Sequence, residues 1–302
     1  MPVTINPTKK KYKPACDRSF FCLGERTHIM GVLNRTPDSF SDGGEFMDEN
    51  AALRHIRKMA SDGADIIDIG GESTRPGSRN VSASEEISRT IPIIEKISRD
   101  LDIPISIDTS KHEVALEAIR AGATIVNDIT GLKSDAKMAE VISKSGASVS
   151  VMHIKGTPKD MQDNPIYEDL MAEIIDSLRE SIEIAVEAGI SPDKIIVDPG
   201  IGFGKTLEHN LTIINRLSEL KVLDKPILIG TSRKSFIGKT LEREPAERLM
   251  GTAATSALAI MNGANIIRVH DVKEMADVAK MADAILREST RIKTQITTDY
   301  DL

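Results

Sequence analysis

The chain has 302 residues, 40% of them hydrophobic, with a formal net charge of −7. No apolar stretch reaches the ~20 residues of a membrane-spanning helix, and the acidic balance argues against a general nucleic-acid or membrane surface. With 3% aromatic residues and no Trp there is little for base stacking.

Cys16 and Cys22 are too few for a disulfide framework or a zinc site and read as reduced thiols. Lys9, Lys10, Lys11 and Lys13 have no apolar segment behind them, so no secretion signal is expected, and the expected setting is cytoplasmic.

Residues 1–26 read as an N-terminal extension, either a short hairpin under the floor of a barrel or a loose tail. After them short apolar runs alternate with helical patterns. The first strand is 27–34 (THIMGVLN), followed by a helix over 51–62 that stops at Gly63. Strand 64–70 (ADIIDIG) leads to helix 84–100, which opens on a Ser-Glu-Glu capping signal. Strand 104–109 (PISIDT) leads to helix 111–121, and strand 124–129 (TIVNDI) to helix 135–145. Strand 148–153 (SVSVMH) precedes helix 169–188, where Leu170, Ile174, Leu178, Ile182 and Val186 form one slowly drifting stripe. Strand 194–200 (KIIVDPG) precedes helix 207–220, strand 226–232 (PILIGTS) precedes helix 245–262, and strand 265–272 (NIIRVHDV) precedes helix 273–288. Residues 293–302 read as a C-terminal tail. Gly63, Gly122, Gly146, Gly189 and Gly263 mark the helix-to-strand junctions, where a left-handed residue stops a helix.

Eight strands alternating with eight helices is the arithmetic of a (β/α)8 TIM barrel occupying 27–292. A doubly wound open sheet is the competing arrangement, but the glycine fingerprint it wants near the first strand is missing. In a barrel the reactive groups lie at the C-terminal ends of the strands. Here those ends carry Asn34, the run 70–75 (GGESTR), Asp108, Asn127, Met152 with His153, Asp198, the run 232–235 (SRKS), and Arg268 with His270.

A single polar residue at a strand end is ordinarily a cap or a turn former; polar residues at all eight ends are harder to explain that way. Asp108, Asn127 and Asp198 suit a flat heterocycle rich in N–H groups, because a buried carboxylate pairs with a guanidine-like edge through two hydrogen bonds. Lys234, Arg268 and His270 offer positive charge for a phosphate or carboxylate. Asn34 is a neutral oxygen ligand of the kind a hydrated Mg2+ accepts. The ligand these residues imply is a nitrogen heterocycle joined to a phosphate. Residues 200–206 (GIGFGKT) look like a phosphate-binding loop but lack its first glycine, where Pro199 stands; Lys205 and Thr206 read as caps of the next helix.

The stretches LNRTPDSFSDGG (33–44) and GADIIDIGGESTRPGS (63–78) resemble the two signatures of the dihydropteroate synthase family. SIDTSK, VNDITG, VMHIKGTP, VDPGIGFGKTLEHNL, GTSRKSFIG and IRVHDV are similar to that family too, in order, over about 27–285. The resemblance implies a TIM-barrel transferase that joins 6-hydroxymethyl-7,8-dihydropterin diphosphate to 4-aminobenzoate, giving 7,8-dihydropteroate and diphosphate with the help of Mg2+. It implies pterin contacts at Asp108, Asn127, Asp198 and Lys234, with Met152 and Phe203 as pocket walls, and Asn34 as the Mg2+ ligand. It implies diphosphate contacts at Thr74, Arg268 and His270, and an aminobenzoate site at Phe40, Pro76, Lys234 and Ser235. Asp42 and Arg75 are the implied partners on two long loops expected to close together as a lid. A homodimer through the C-terminal half is the implied assembly.

Arg35 departs from the signature, which has a small apolar residue there. Two other readings share the barrel. A corrinoid-dependent pterin methyltransferase has no need of Lys234, Arg268, His270 or the 33–44 loop. A catalytically silent pterin-binding paralogue has only Arg35 in its favour.

Overall fold

The computed structural model describes residues 24–35, 49–73 and 80–299, with side chains described as far as 288. Residues 1–23, most of the expected extension, lie outside the described residues.

Eight parallel strands form one sheet in the order β6-β5-β4-β3-β2-β1-β8-β7. They are β1 (His28–Asn34), β2 (Ile66–Gly70), β3 (Ile105–Asp108), β4 (Ile125–Asp128), β5 (Ser148–Met152), β6 (Ile195–Asp198), β7 (Leu228–Ile229) and β8 (Ile266–Val269). A parallel bridge between Val197 and Ile227 joins the two sheet edges and closes the ring. That seam is thin for a local reason. Pro226 has no amide to donate, although its carbonyl still accepts from Val197 N–H at 2.9 Å. The side chain of Asn265 accepts from the Ile227 N–H at 2.9 Å and satisfies a donor the short β7 would otherwise leave bare.

The helices between strands are α1 (Glu49–Ser61), α2 (Ala83–Asp100), α3 (His112–Ala121), α4 (Met138–Ser145), α5 (Leu170–Glu187), α6 (Leu207–Asn215), α7 (Ser235–Leu241), α8 (Leu249–Met261) and α9 (Val272–Asp299). Gly63, Gly122, Gly146, Gly189 and Gly263 all have positive φ, as expected of helix stops. The cap of α2 is Ser82, two residues before the Ser84 of the capping signal; its hydroxyl accepts from the Glu85 N–H at 3.2 Å. The buried face of α5 runs through Met171, Ile174, Leu178, Ser181 and Ala185, and Val186 is 43% exposed, so the stripe read from the sequence drifts off the core in its last turn.

The helices differ from the sequence reading in four places. The helix expected over 207–220 leaves helical geometry at Arg216 (φ −102, ψ 14) and continues as a 3-10 helix, Leu217–Leu223. The helix expected over 245–262 is split into a 3-10 turn, Pro245–Glu247, and α8. The seven-residue α7 was not anticipated. At the end of the chain α9 runs to Asp299 and so takes in residues 293–299 of the expected C-terminal tail.

Strand alternation sorts the core into two parts. Outward residues such as Ile67, Ile69, Ile105, Ile107, Val149, Val151, Ile267 and Val269 pack with the helices in one large cluster. Inward residues Met30, Ile66, Ile125, Ile196, Leu228 and Ile266 form a separate cluster, an aliphatic plug inside the barrel. Asp283 of α9 accepts from the Thr27 N–H at 2.6 Å, which ties the last helix to the first strand.

Truncating this plug should be costly, because the surrounding ring relaxes little. Ile196→Ala is expected to destabilise the fold by about 2–5 kcal/mol, read as a lowered denaturant midpoint; a loss below about 1 kcal/mol would mean the interior is not packed as described.

Candidate active site

One position or two above the plug, the same alternation turns polar residues inward. The register aligns Asn34 with Gly70, Gly70 with Asp108, and Asp108 with Asn127. Those residues therefore stand side by side on β1 to β4. Met152 pairs with Asp198 across β5 and β6. Gly70 leaves a bare place between neighbours: a Cβ there would lie 3.6 Å from both Asn34 Oδ1 and Asp108 Cβ. Gly230 does the same beneath Arg268, whose Cβ would be 3.7 Å from a side chain at that position.

Charge is concentrated in this rim. Asp68, Asp108 and Asp198 are sunk in it, with Asp68 wholly buried and Asp198 6% exposed. Arg268 crosses from β8: its Nε donates to Asp68 Oδ2 at 2.6 Å and its Nη2 donates to Asp108 Oδ2 at 2.7 Å. Burial works against the guanidinium charge, but Asp68 and Asp108 outweigh it and hold Arg268 protonated. Burial pushes Asp108 up, to about 7, while Arg268 pulls it back. Burial also pushes Asp198 up to about 6, against the Gly200 N–H that donates to its Oδ1 at 2.7 Å. Lys234 is lowered to about 8, by burial first and then by Arg268. Acids raised and amines lowered toward neutrality in one cleft mark a functional site.

The apolar wall is equally defined. Met152, Phe203, Ile129 and Met161 form their own small cluster. Lys234 Nζ lies 4.3 Å from the centroid of the Phe203 ring, a cation–π contact that fixes the lysine against the wall. The loop carrying Phe203 folds tightly onto the end of β5. Gly200 has φ +71, and a Cβ there would come within 2.0 Å of the His153 carbonyl oxygen, so only glycine fits. A cavity of about 450 Å³ opens beside Asp108 and Met152, bounded also by Ile129, Thr130, Lys111 and Lys133.

The structure thus brings together Asn34, Asp108, Asn127, Met152, Asp198, Phe203, Lys234 and Arg268. His270 lies at the end of β8, its Nδ1 3.0 Å from Ser232 Oγ. Burial, then Arg268, lowers its pKa to about 4, so at neutral pH it is a hydrogen-bonding imidazole and not the cation expected from sequence. Ser235 is exposed at the first position of α7, and Lys234 is the helix N-cap. Arg35 extends the β1–β2 ladder through its N–H to Gly70 O at 2.7 Å; alternation turns its side chain away from the barrel interior. Phe40, Asp42, Thr74, Arg75 and Pro76, and with them the expected lid, lie outside the described residues.

The sequence reading missed Asp68, which stands one inward position below the strand end it considered. The alternation Ile66, Asp68, Gly70 was the available signal. It also took Lys205 for a helix cap. Thr206 does cap α6, but Lys205 is 3% exposed, and its Nζ lies 2.9 Å from His153 Nδ1 and donates to Phe203 O at 2.8 Å. His153, whose pKa burial and then Lys205 depress to about 2, stays neutral and accepts that bond. The pair braces the pocket wall from behind.

Buried acids and an amide at neighbouring strand ends, with a lysine and an arginine beside them on a (β/α)8 rim, define a barrel enzyme for a nitrogen heterocycle carrying an anion. The sequence model of the pterin-binding enzymes matches residues 30–270. The dihydropteroate synthase of Clostridium beijerinckii is 53% identical over 268 residues, which are 88% of this chain and 97% of that protein. A crystal structure of dihydropteroate synthase from Clostridium difficile, obtained in the presence of pteroic acid, has a TM-score of 0.83 at 52% identity and covers 88% of this chain and 99% of its own. The Xanthomonas albilineans enzyme in complex with 7,8-dihydropteroate has a TM-score of 0.80 at 36% identity, covering 91% of this chain and 98% of its own. The chain belongs to the pterin-binding enzyme family.

The shifted groups set a pH window. Below about 6 Asp198 takes up a proton and ceases to be a carboxylate acceptor, with Asp108 following the same sign from about 7; above about 8 Lys234 loses its charge. A bell-shaped kcat/KM for the pterin substrate is expected, since that parameter reports free-enzyme ionisations. Lys234→Arg should move the alkaline limb upward by more than about 1 pH unit; an alkaline limb unmoved by this change would contradict the assignment.

Proposed function

We infer that this chain catalyses the dihydropteroate synthase reaction, condensing 6-hydroxymethyl-7,8-dihydropterin diphosphate with 4-aminobenzoate to give 7,8-dihydropteroate and diphosphate in folate biosynthesis. The observation that carries the reading is the joint placement of Asp108, Asn127 and Asp198 beside Lys234 and Arg268, on a chain 53% identical to a dihydropteroate synthase.

The roles follow from the chemistry. Asp198, ionised above about 6, accepts from the guanidine-like edge of the pterin. Asp108 and Asn127 accept and donate along the ring, and Met152 and Phe203 cover its faces. The C9–O bond to diphosphate breaks, the amine of aminobenzoate bonds to C9, and the amine proton leaves. An anionic Asp198 beside the ring favours positive charge developing at C9, while Arg268 and Lys234 take up charge released on the diphosphate. The neutral imidazole of His270 adds a hydrogen bond, not a charge. Aminobenzoate is a weak nucleophile, so holding it in line matters more than a strong base. Phe40, Pro76, Lys234 and Ser235 are assigned to aminobenzoate, Thr74 to diphosphate, and Asp42 and Arg75 to closing loops; for Phe40, Asp42, Thr74, Arg75 and Pro76 the support is the sequence signature alone.

Asn34 presents a neutral amide oxygen over the bare backbone of Gly70, next to Asp108. One neutral oxygen suits a magnesium ion that keeps its waters and takes its remaining ligands from the substrate. Bound there, Mg2+ would neutralise charge on the departing diphosphate.

A homodimer is part of the reading. Met250 and Leu258 are 76% and 56% exposed on α8, and Met281 and Ile285 are 62% and 48% exposed on α9, which packs against α8. Two adjacent apolar stripes facing solvent suit a two-fold interface. Among the described residues no helix is long and apolar enough to cross a membrane, in keeping with a cytoplasmic setting.

Purified protein supplied with the pterin diphosphate, aminobenzoate and Mg2+ should release diphosphate and form 7,8-dihydropteroate. Lys234→Ala should cut kcat/KM at least ~10-fold, about 1.4 kcal/mol of transition-state stabilisation. Pterin binding with no diphosphate released would instead support a corrinoid-dependent methyltransferase or a silent binding protein. For the assembly, sedimentation should show a dimer that Met250→Lys with Met281→Lys converts to monomer; an unchanged dimer would place the interface elsewhere.

A further inference from the structure

Asp68 is the most deeply placed acid of the rim. It sits on β2 one inward position below Gly70, paired with Val32 on one side and Ser106 on the other. Its side chain is fully buried. An isolated carboxylate there would be expensive, and removing the partner of a buried pair costs more than the pair itself contributes. The partners present are few. Oδ2 receives Arg268 Nε at 2.6 Å and has Asn127 Nδ2 at 3.4 Å, while Oδ1 is buried without a hydrogen bond among the described residues. Asp68 and Arg268 therefore hold each other in place.

The other end of the same guanidinium is differently placed. Nη2 donates to Oδ2 of Asp108, whose side chain is 12% exposed and borders the open cavity. Asp108 is an acceptor for ring N–H groups in the proposed reading. A ligand N–H arriving at that carboxylate competes with Nη2 for its lone pairs. The guanidinium has five N–H donors in a rigid fork, so giving up one acid leaves the Nε bond intact and turns the Nη groups toward whatever anion lies in the rim. Gly230 lies beside the stem of Arg268, where a Cβ would be 3.7 Å from its Cβ and 4.0 Å from its Cδ.

We propose that Asp68 is a positioning residue that anchors Arg268 through Nε, so that a ligand ring displacing Nη2 from Asp108 redirects the guanidinium onto the diphosphate. The inference rests on the assignment of Arg268 to the diphosphate. It couples the two halves of one substrate: the ring must reach Asp108 before the arginine is free for the phosphates, and Asp68 sets the pivot.

The test compares two ligands by calorimetry, 6-hydroxymethylpterin and the same pterin as its diphosphate with Mg2+. Asp68→Asn keeps the shape and removes the charge. It should weaken the diphosphate at least ~10-fold, about 1.4 kcal/mol, and change the unphosphorylated pterin by less than ~2-fold. In an Arg268→Gln background the same substitution should add less than ~2-fold to the loss for the diphosphate, because the anchor then has nothing to hold. Asp68→Asn with Arg268→Gln removes both ends of the anchoring pair but also takes the arginine from Asp108, so thermal melts of every variant check the fold before affinities are compared. Equal weakening of both ligands, an unchanged diphosphate affinity in Asp68→Asn, or full additivity of the two substitutions would each overturn the proposal. Wild-type protein that releases no diphosphate would instead overturn the functional reading itself.

Discussion

A carboxylate sealed in a barrel has to be met by a cation, and one arginine meets two. Arg268 bridges Asp68 and Asp108 across three strand steps of the ring. The geometry is available because β8 pairs with β1, which sets Arg268 on the same run of neighbouring strands as Asp68 and Asp108, and it lets the barrel carry acids above an aliphatic plug. Arg268 and Lys234 offset most of the charge of the three rim acids and put positive charge beside them for the diphosphate. Replacing the cluster with apolar side chains of similar volume would be near neutral for the fold and fatal to the chemistry.

Burial tunes the cluster. Desolvation is the first cause of the shifts at Asp108, Asp198 and Lys234, and it drives acids up and amines down toward neutrality. The wall that creates this burial is made by a loop that only glycine allows, pressed on β5 at Gly200 and braced by the Lys205–His153 contact. Packing, electrostatics and chemistry thus meet on a few residues. Lys234 shows it best: it stands at the start of α7, lies on the Phe203 ring, and offers its charge to the site.

Much of this was legible in the sequence, for reasons of scale. The Ile- and Val-rich runs and the glycine stops are local signals, and they placed the strands and the five helix-to-strand junctions. Strand ends then pointed to Asn34, Asp108, Asn127, Asp198 and Arg268 because a barrel gathers its ends at one rim. What escaped depends on contacts between distant residues. Asp68 lies mid-strand, and nothing in IIDIG says that an arginine 200 residues later will cover it. Lys205 follows a motif that suggests a cap, and only the fold shows it buried. The short α7 lies inside a run read for its polar residues, and the early end of α6 turns on one backbone angle at Arg216. The neutral state of His270 needs the depth of its site, which sequence does not record.

A crystal structure of this chain with the pterin diphosphate and Mg2+ reaches the centre of the account. The pterin edge should lie roughly 3 Å from the Asp198 carboxylate, with Asn127 and Asp108 on the ring and the guanidinium of Arg268 on the phosphates. A ring bound away from Asp198, or an Arg268 with no contact to the diphosphate, would contradict it.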